Sequence, residues 1–269
     1  MGKDFRIGAL ISGSGTNLQA IIDACEAGRI KGKLAFVGSD NPDAKGLERA
    51  RRRKIPTFIV DYSSIIKGFK SKTAEDLLPY DYNFDDLLSK QAFMLDNINT
   101  KKIKNFLMTR TIAEKELLDK MKPYPFDLIV LAGFMRNLTP YFIDRVNTDP
   151  ALPRIMNIHP ALLPAFPGID GYGDTFKYGC KVGGCTVHFI DYGEDTGPII
   201  GQKTFEIEND DTLDTIRKKG LALEWKLYPE CIKLFAENRL KIVEVPYILK
   251  NGEERLRRIV KVSRLRLEI

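Results

Sequence analysis

Asn157 and His159 stand two residues apart in the stretch Met156-Asn157-Ile158-His159-Pro160, a spacing that on an extended backbone points both side chains to one face. An amide that donates hydrogen bonds beside an imidazole that titrates near neutrality suits work on a carbonyl. One group holds a developing oxyanion and the other moves the proton. Asp195, in the turn Asp191-Tyr192-Gly193-Glu194-Asp195-Thr196-Gly197-Pro198, is a candidate partner whose charge would lift the imidazole pKa. The plain alternatives are a histidine that caps a strand, an asparagine that satisfies a loop and a turn aspartate bonded to its own backbone. His188, between Val187 and Phe189, reads as a structural histidine. Arg110 and Arg136 can hold carboxylates or phosphates, or lie solvated at the surface.

These residues need elements to carry them. The run Arg154 to Ile158 suits a buried strand, which Pro160, Pro164 and Pro167 end at once. The pair is therefore expected at a strand's carboxyl end, where open α/β sheets place their chemistry. Upstream, Arg6 to Ser12 predicts a first strand, the loop Gly13-Ser14-Gly15-Thr16-Asn17 follows, and Leu18, Ile21, Ile22 and Cys25 give a helix ending near Gly28. Strands over Leu34 to Gly38, Pro56 to Val60 and Leu128 to Ala132 alternate with helices over Gly46 to Arg53 and Thr111 to Met121. A further helix begins at Thr139-Pro140. The rhythm predicts an α/β fold: a doubly wound, mostly parallel, Rossmann-like sheet with helices on both faces. Residues 62 to 105 break the pattern and read as an insertion within one domain spanning 1 to 269. Ile169 to Gly183 reads as a mobile Gly-rich loop. Strands over Cys185 to Ile190 and Ile199 to Phe205 come next, then a long helix over Thr212 to Glu237. A C-terminal β-hairpin covers 240 to 269 and turns at Asn251-Gly252.

Composition sets outer bounds. With 269 residues the chain can bury a real core. No run reaches the roughly 18 to 20 apolar residues of a membrane span, and the start shows no signal-peptide pattern, so a cytoplasmic protein without a membrane partner is expected. Cys25, Cys180, Cys185 and Cys231 form no Cys-x-x-Cys, and only two histidines accompany them. Neither a structural metal nor a disulfide framework is expected. The formal charge is +6, and residues 250 to 269 hold seven Lys or Arg against three Glu. There Leu265, Leu267 and Ile269 alternate with Arg264, Arg266 and Glu268, which suits a half-buried strand better than a nucleic-acid arm. Acidic phosphorylated small molecules suit a mildly basic protein.

The loop after the first strand holds Gly13-x-Gly15, half of a dinucleotide fingerprint, and opens a helix whose amides can bind a phosphate. Asp40 ends the second strand where an acid would grip a ribose, which keeps a dehydrogenase in view. Leu18 stands where the third glycine belongs and counts against it.

Taken together, Ile11-Ser12-Gly13-Ser14-Gly15-Thr16-Asn17-Leu18-Gln19-Ala20-Ile21, Leu131-Ala132-Gly133-Phe134-Met135-Arg136, Asn157-Ile158-His159-Pro160-Ala161-Leu162-Leu163-Pro164 and Gly184 to Phe189 through Asp195-Thr196-Gly197-Pro198 resemble the glycinamide ribonucleotide formyltransferase family. The resemblance covers most of residues 5 to 245. It implies formyl transfer from 10-formyltetrahydrofolate, a co-substrate, to the amine of glycinamide ribonucleotide in purine synthesis, with no metal. It implies Asn157, His159 and Asp195 as catalytic groups, and Gly15, Thr16, Asn17 and Glu224 for the ribonucleotide. Arg110, Met135, Arg136, Asn137, Leu138, Asn157 and the turn Asp191, Tyr192, Gly193, Glu194 and Asp195 would serve the folate. The partners expected are small molecules, with no nucleic acid, in a monomer or homodimer.

Three departures stand against the family pattern. After Pro167-Gly168 the usual Leu-His gives way to Ile169-Asp170-Gly171-Tyr172-Gly173, Leu221 stands where Lys or Gln is common, and the insertion is extra. The altered loop keeps open an acceptor on a nucleotide-linked amino sugar. A 10-formyltetrahydrofolate hydrolase, expected to carry an N-terminal regulatory domain, and a non-catalytic nucleotide-binding protein are the other readings.

Overall fold

The structure is a computed structural model that describes residues 4–69, 75–92, 99–149 and 151–263. Its centre is a seven-stranded sheet. β1 (Phe5–Ile11), β2 (Gly32–Ser39), β3 (Thr57–Ile59), β4 (Leu128–Leu131), β5 (Ile155–His159), β6 (Val182–Phe189) and β7 (Ile199–Glu206) lie in the order β3-β2-β1-β4-β5-β6-β7. The first five run parallel, and β6 and β7 add an antiparallel edge. The chain winds outward from β1 to β3, then returns to the other side of β1 at β4. That reversal opens a crevice beyond the carboxyl ends of β1 and β4.

Period-2 burial sends alternate residues of each strand to opposite faces. Ile7, Ala9 and Ile11 of β1 join α1 (Thr16–Glu26), α2 (Gly46–Arg52) and α8 (Leu213–Ala236) in one apolar cluster. Leu10, Phe36 and Leu131 face the other way, toward α3 (Tyr62–Gly68), α5 (Thr100–Met121) and α6 (Pro140–Val146). Helices therefore cover both faces, as the alternation predicts. The hairpin is β8 (Leu240–Ile248) and β9 (Glu254–Val262), turned where Gly252 takes φ +85°. The alternation expected over Leu265 to Ile269 lies outside the described residues.

Two segments differ from expectation. α5 starts at Thr100, eleven residues before the predicted Thr111, because Ile103 and Leu107 pack with Leu87 of α4 (Phe84–Lys90) and Tyr141 of α6 in a small cluster of their own. The segment 169 to 183 is no loop: Gly171–Lys177 forms α7. Asp170 caps it by accepting from the Gly173 amide at 3.2 Å, and Tyr172 and Thr175 bury its inner side. Tertiary packing there outweighs two glycines, each of which costs a helix about 1 kcal/mol. Among the described residues no helix is long and apolar enough to cross a membrane.

Candidate active site

β5 carries Asn157 and His159 to the crevice as predicted, and β6 runs antiparallel beside it with Asn157 opposite His188. His159 is 2% exposed. Its Nδ1 lies 3.1 Å from Asp195 Oδ2 and its Nε2 2.8 Å from the Phe166 carbonyl oxygen. A carboxylate and a carbonyl only accept, so both ring nitrogens must donate, and the arrangement suits the imidazolium. Burial opposes that charge. The hydrogen bond and charge of Asp195, with the Phe166 carbonyl, outweigh burial and raise the His159 pKa above its ordinary 6.5. Burial would likewise raise Asp195, but the bonds from His159 and His188, the His159 charge and the Gly168 amide hold its carboxyl well below the usual carboxylate range.

The loops that aim these groups hold strained backbone. Phe166 and Asp195 take φ +54° and +55°, a left-handed region that non-glycine residues seldom enter. The Gly168 amide donates to Asp195 Oδ2 at 2.9 Å, and Asp191 Oδ1 accepts from Gly193 N and Thr196 Oγ1, fixing the turn. His188 is fully buried. Its Nδ1 must donate to its neighbour's carbonyl, Phe189 O, at 2.9 Å. Its Nε2 then meets Asn157 Nδ2 at 3.3 Å and Asp195 Oδ1 at 3.5 Å. The structural reading of His188 is thus incomplete, because its Nε2 stands against two members of the cluster, accepting from Asn157 when the ring is neutral or donating to Asp195 when it is charged. The pairing of Asn157 with His188 across β5 and β6 would have revealed it, but register between distant strands is not written in either strand alone.

Asn157, His159 and Asp195 line a cavity of about 370 Å³. Its walls are Gly133 to Leu138 after β4, Asn157 to Pro160, Gly168 to Asp170 with Tyr172, and Asp191, Gly193, Glu194 and Asp195. Asn17, Arg217, Leu221 and Glu224 close one end. Met135, Arg136, Asn137 and Leu138 therefore line the same cavity as Asn157, His159 and Asp195. The Met135 amide donates to Ser12 Oγ at 2.8 Å, and Asn137 Nδ2 to Glu194 Oε1 at 3.2 Å, which links two walls. Glu224, 5% exposed, accepts from Asn17 Nδ2 and Tyr172 OH, each at 2.7 Å. Burial raises its pKa, although both donors and the His159 charge oppose the rise.

Four predicted residues fall outside this cavity. Gly15 is the left-handed residue before α1, φ +69°, and a Cβ there would lie 2.6 Å from Gly46 Cα, so only glycine fits. No side chain caps α1, which leaves its first amides open to an anion. Thr16 borders a separate cavity with Gln19, Arg29, Arg49 and Trp225. Tyr192 turns away: its hydroxyl bonds Asp144, and its carbonyl accepts from Gln91 Nε2 and Ala92 N. Arg110 stacks its guanidinium over Tyr62 and Phe106, 5.4 and 5.0 Å from the ring centroids. Asp40 is 2% exposed and paired with Arg136 Nε, so it is not free to grip a ribose, which removes the main support for a dinucleotide site.

The chain is similar to known proteins along most of its length. The family described as formyl transferase matches residues 5–232. A phosphoribosylglycinamide formyltransferase of Bacillus subtilis is 35% identical over 222 residues, 82% of this chain and 90% of that protein. One of Escherichia coli is 34% identical, over 87% of this chain and 89% of that one. Among solved structures, glycinamide ribonucleotide transformylase 1 from Symbiobacterium toebii superimposes with a TM-score of 0.70 at 36% identity, covering 98% of this chain and 96% of that one.

Proposed function

The chain belongs to the formyl transferase family, and on that premise we propose that it transfers the formyl group of 10-formyltetrahydrofolate to the amine of glycinamide ribonucleotide. The observation that carries this reading is the Asp195, His159 and Asn157 cluster inside a cavity that also reaches Asn17 at the head of α1. The ribonucleotide's phosphate binds the open amides of Gly15, Thr16 and Asn17 at that helix start, and Glu224 meets its ribose or amine end. The folate ring lies between Met135 to Leu138 and the turn Asp191 to Asp195, where apolar Leu131, Met135, Leu138 and Ile190 line the cavity beside polar Asn137, Asp191 and Glu194. Arg110 reaches the folate only by leaving the Tyr62 and Phe106 rings, and Tyr192 contributes by fixing the turn.

The chemistry then follows from the groups present. The amine nitrogen attacks the formyl carbon, and the carbonyl oxygen takes up charge facing Asn157 Nδ2. His159 Nε2, once it leaves the Phe166 carbonyl, donates to that oxyanion, gives its proton to N10, and takes up the proton that the attacking nitrogen loses. The C–N10 bond breaks, releasing the formylated amine and tetrahydrofolate. Asp195 keeps the imidazole oriented throughout and favours its charged form before the proton is given and after it is regained. The amine is a competent nucleophile, so positioning supplies much of the rate.

Purified protein given 10-formyltetrahydrofolate should formylate glycinamide ribonucleotide and leave a nucleotide-linked amino sugar unmodified. Formylation of the sugar alone would overturn the acceptor, and formate released equally without any amine would overturn transfer in favour of hydrolysis.

A further inference from the structure

Tyr172 belongs to the segment that departs from the family pattern. It is 5% exposed, and its hydroxyl donates to Glu224 Oε1 at 2.7 Å. The ring fits only because Gly220 of α8 has no side chain: a Cβ there would sit 2.1 Å from Tyr172 Cζ and 2.3 Å from its hydroxyl oxygen. Gly220 lies one helical turn before Glu224, so one face of α8 presents the notch and the carboxylate together. Asn17 Nδ2 holds the other oxygen, Oε2, at 2.7 Å. A carboxylate offers about four acceptor sites, so two donors fix its plane and leave lone pairs for a ligand.

We propose that Tyr172, seated in the notch left by Gly220, is a positioning residue that locks the Glu224 carboxylate toward the acceptor end of the cavity and so governs recognition of the ribonucleotide. The inference rests on the reading of function given above. It accounts for both departures near this end: with Leu221 supplying no polar group, recognition falls more heavily on Glu224, and α7 brings the tyrosine that holds it. α7 is itself fastened to α8 by Arg217, whose guanidinium bonds Asp170 at 3.1 Å. The groups that bear on Glu224 are His159 from β5, Cys185 from β6, Tyr172 from α7, Asn17 from α1 and Tyr228 of its own helix. Arg217 lines the same cavity.

Tyr172→Phe keeps the ring in its notch and removes only the hydroxyl. Relative to the unaltered protein, the variant should raise KM for glycinamide ribonucleotide about tenfold, the loss of one hydrogen bond to a charged group. KM for the folate and kcat at saturation should stay within about twofold. With one donor gone the carboxylate binds its proton more tightly, so the acid limb of kcat/KM for the ribonucleotide should move to higher pH. The Glu224 carboxyl, titrated by 13C NMR in the substrate-free protein, should move the same way. Gly220→Ala, which displaces the ring, should reproduce the rise in KM. An unchanged ribonucleotide KM with an unchanged acid limb would overturn the proposal. If the unaltered protein formylates no ribonucleotide, the functional reading fails, and the Glu224 titration alone decides the positioning role: no shift in Tyr172→Phe refutes it.

Discussion

At the residue scale the proposed chemistry depends on a charged pair in a nearly dry place. Asp195→Asn keeps the shape of the side chain and removes its charge, so turnover should fall by about 10² or more, within the range of general acid-base partners. A steady-state kcat within about threefold of the unaltered enzyme would remove Asp195 from the mechanism. The same pair predicts a pH window in stability. His159 has a raised folded pKa, so its contribution is full below about 6.5 and is lost as pH rises through the folded value. Asp195 is depressed, so its contribution is present above about 3.9 and is lost as pH falls. The melting-temperature gap between the unaltered protein and Asp195→Asn should therefore be widest near pH 4 to 6.5 and narrow toward pH 9 and pH 2. A gap that is flat with pH would refute the linkage. Asn157 and His159 were legible in the sequence because two residues of spacing on a strand share a face. The roles of His188 and of the Phe166 carbonyl were not, because one depends on strand register and the other on a backbone conformation that a phenylalanine seldom adopts.

At the element scale, the helices preceding the crevice support one of its walls. Lys90 at the end of α4 bonds Asp86 and Asp144, Asp144 accepts from the Tyr192 hydroxyl, and Gln91 Nε2 donates to the Tyr192 carbonyl at 3.2 Å. Gln91 is 1% exposed, so its amide is committed to that turn. Gln91→Met should loosen residues 191 to 195 and raise KM for the folate about threefold to tenfold, as for one lost hydrogen bond, with KM for the ribonucleotide unchanged. Equal changes in both constants would mean that the turn does not serve the folate alone. The strands and long helices of the sheet were legible from their periods. α7 was not, because Gly171 and Gly173 argue locally against a helix that Tyr172 and Asp170 secure through their own hydrogen bonds. The first half of α5 was hidden by Lys101, Lys102 and Lys104, which leave a thin apolar stripe at Ile103 and Leu107.

At the scale of the whole molecule, the topology reverses between β1 and β4, and everything proposed for catalysis gathers beyond that reversal. The order of strands was readable only as a class, since an alternating pattern fixes a parallel sheet without fixing which strands are neighbours. One long-range tie joins this framework to both binding regions. The Tyr228 hydroxyl of α8, fully buried, reaches the carbonyl oxygens of Leu131 at 3.2 Å and Met156 at 2.8 Å. Leu131 is the last residue of β4, and Met156 is the one before Asn157. Tyr228→Phe should cost about 1–3 kcal/mol in chemical denaturation, the penalty for buried groups left without a partner. An unfolding free energy unchanged within error would show that the carbonyls find other donors. A single phenol thus fastens α8 to the ends of two paired strands, one leading into residues 133 to 138 and the other carrying Asn157 and His159. A change of side chain there would therefore disturb both strand ends together rather than either one alone.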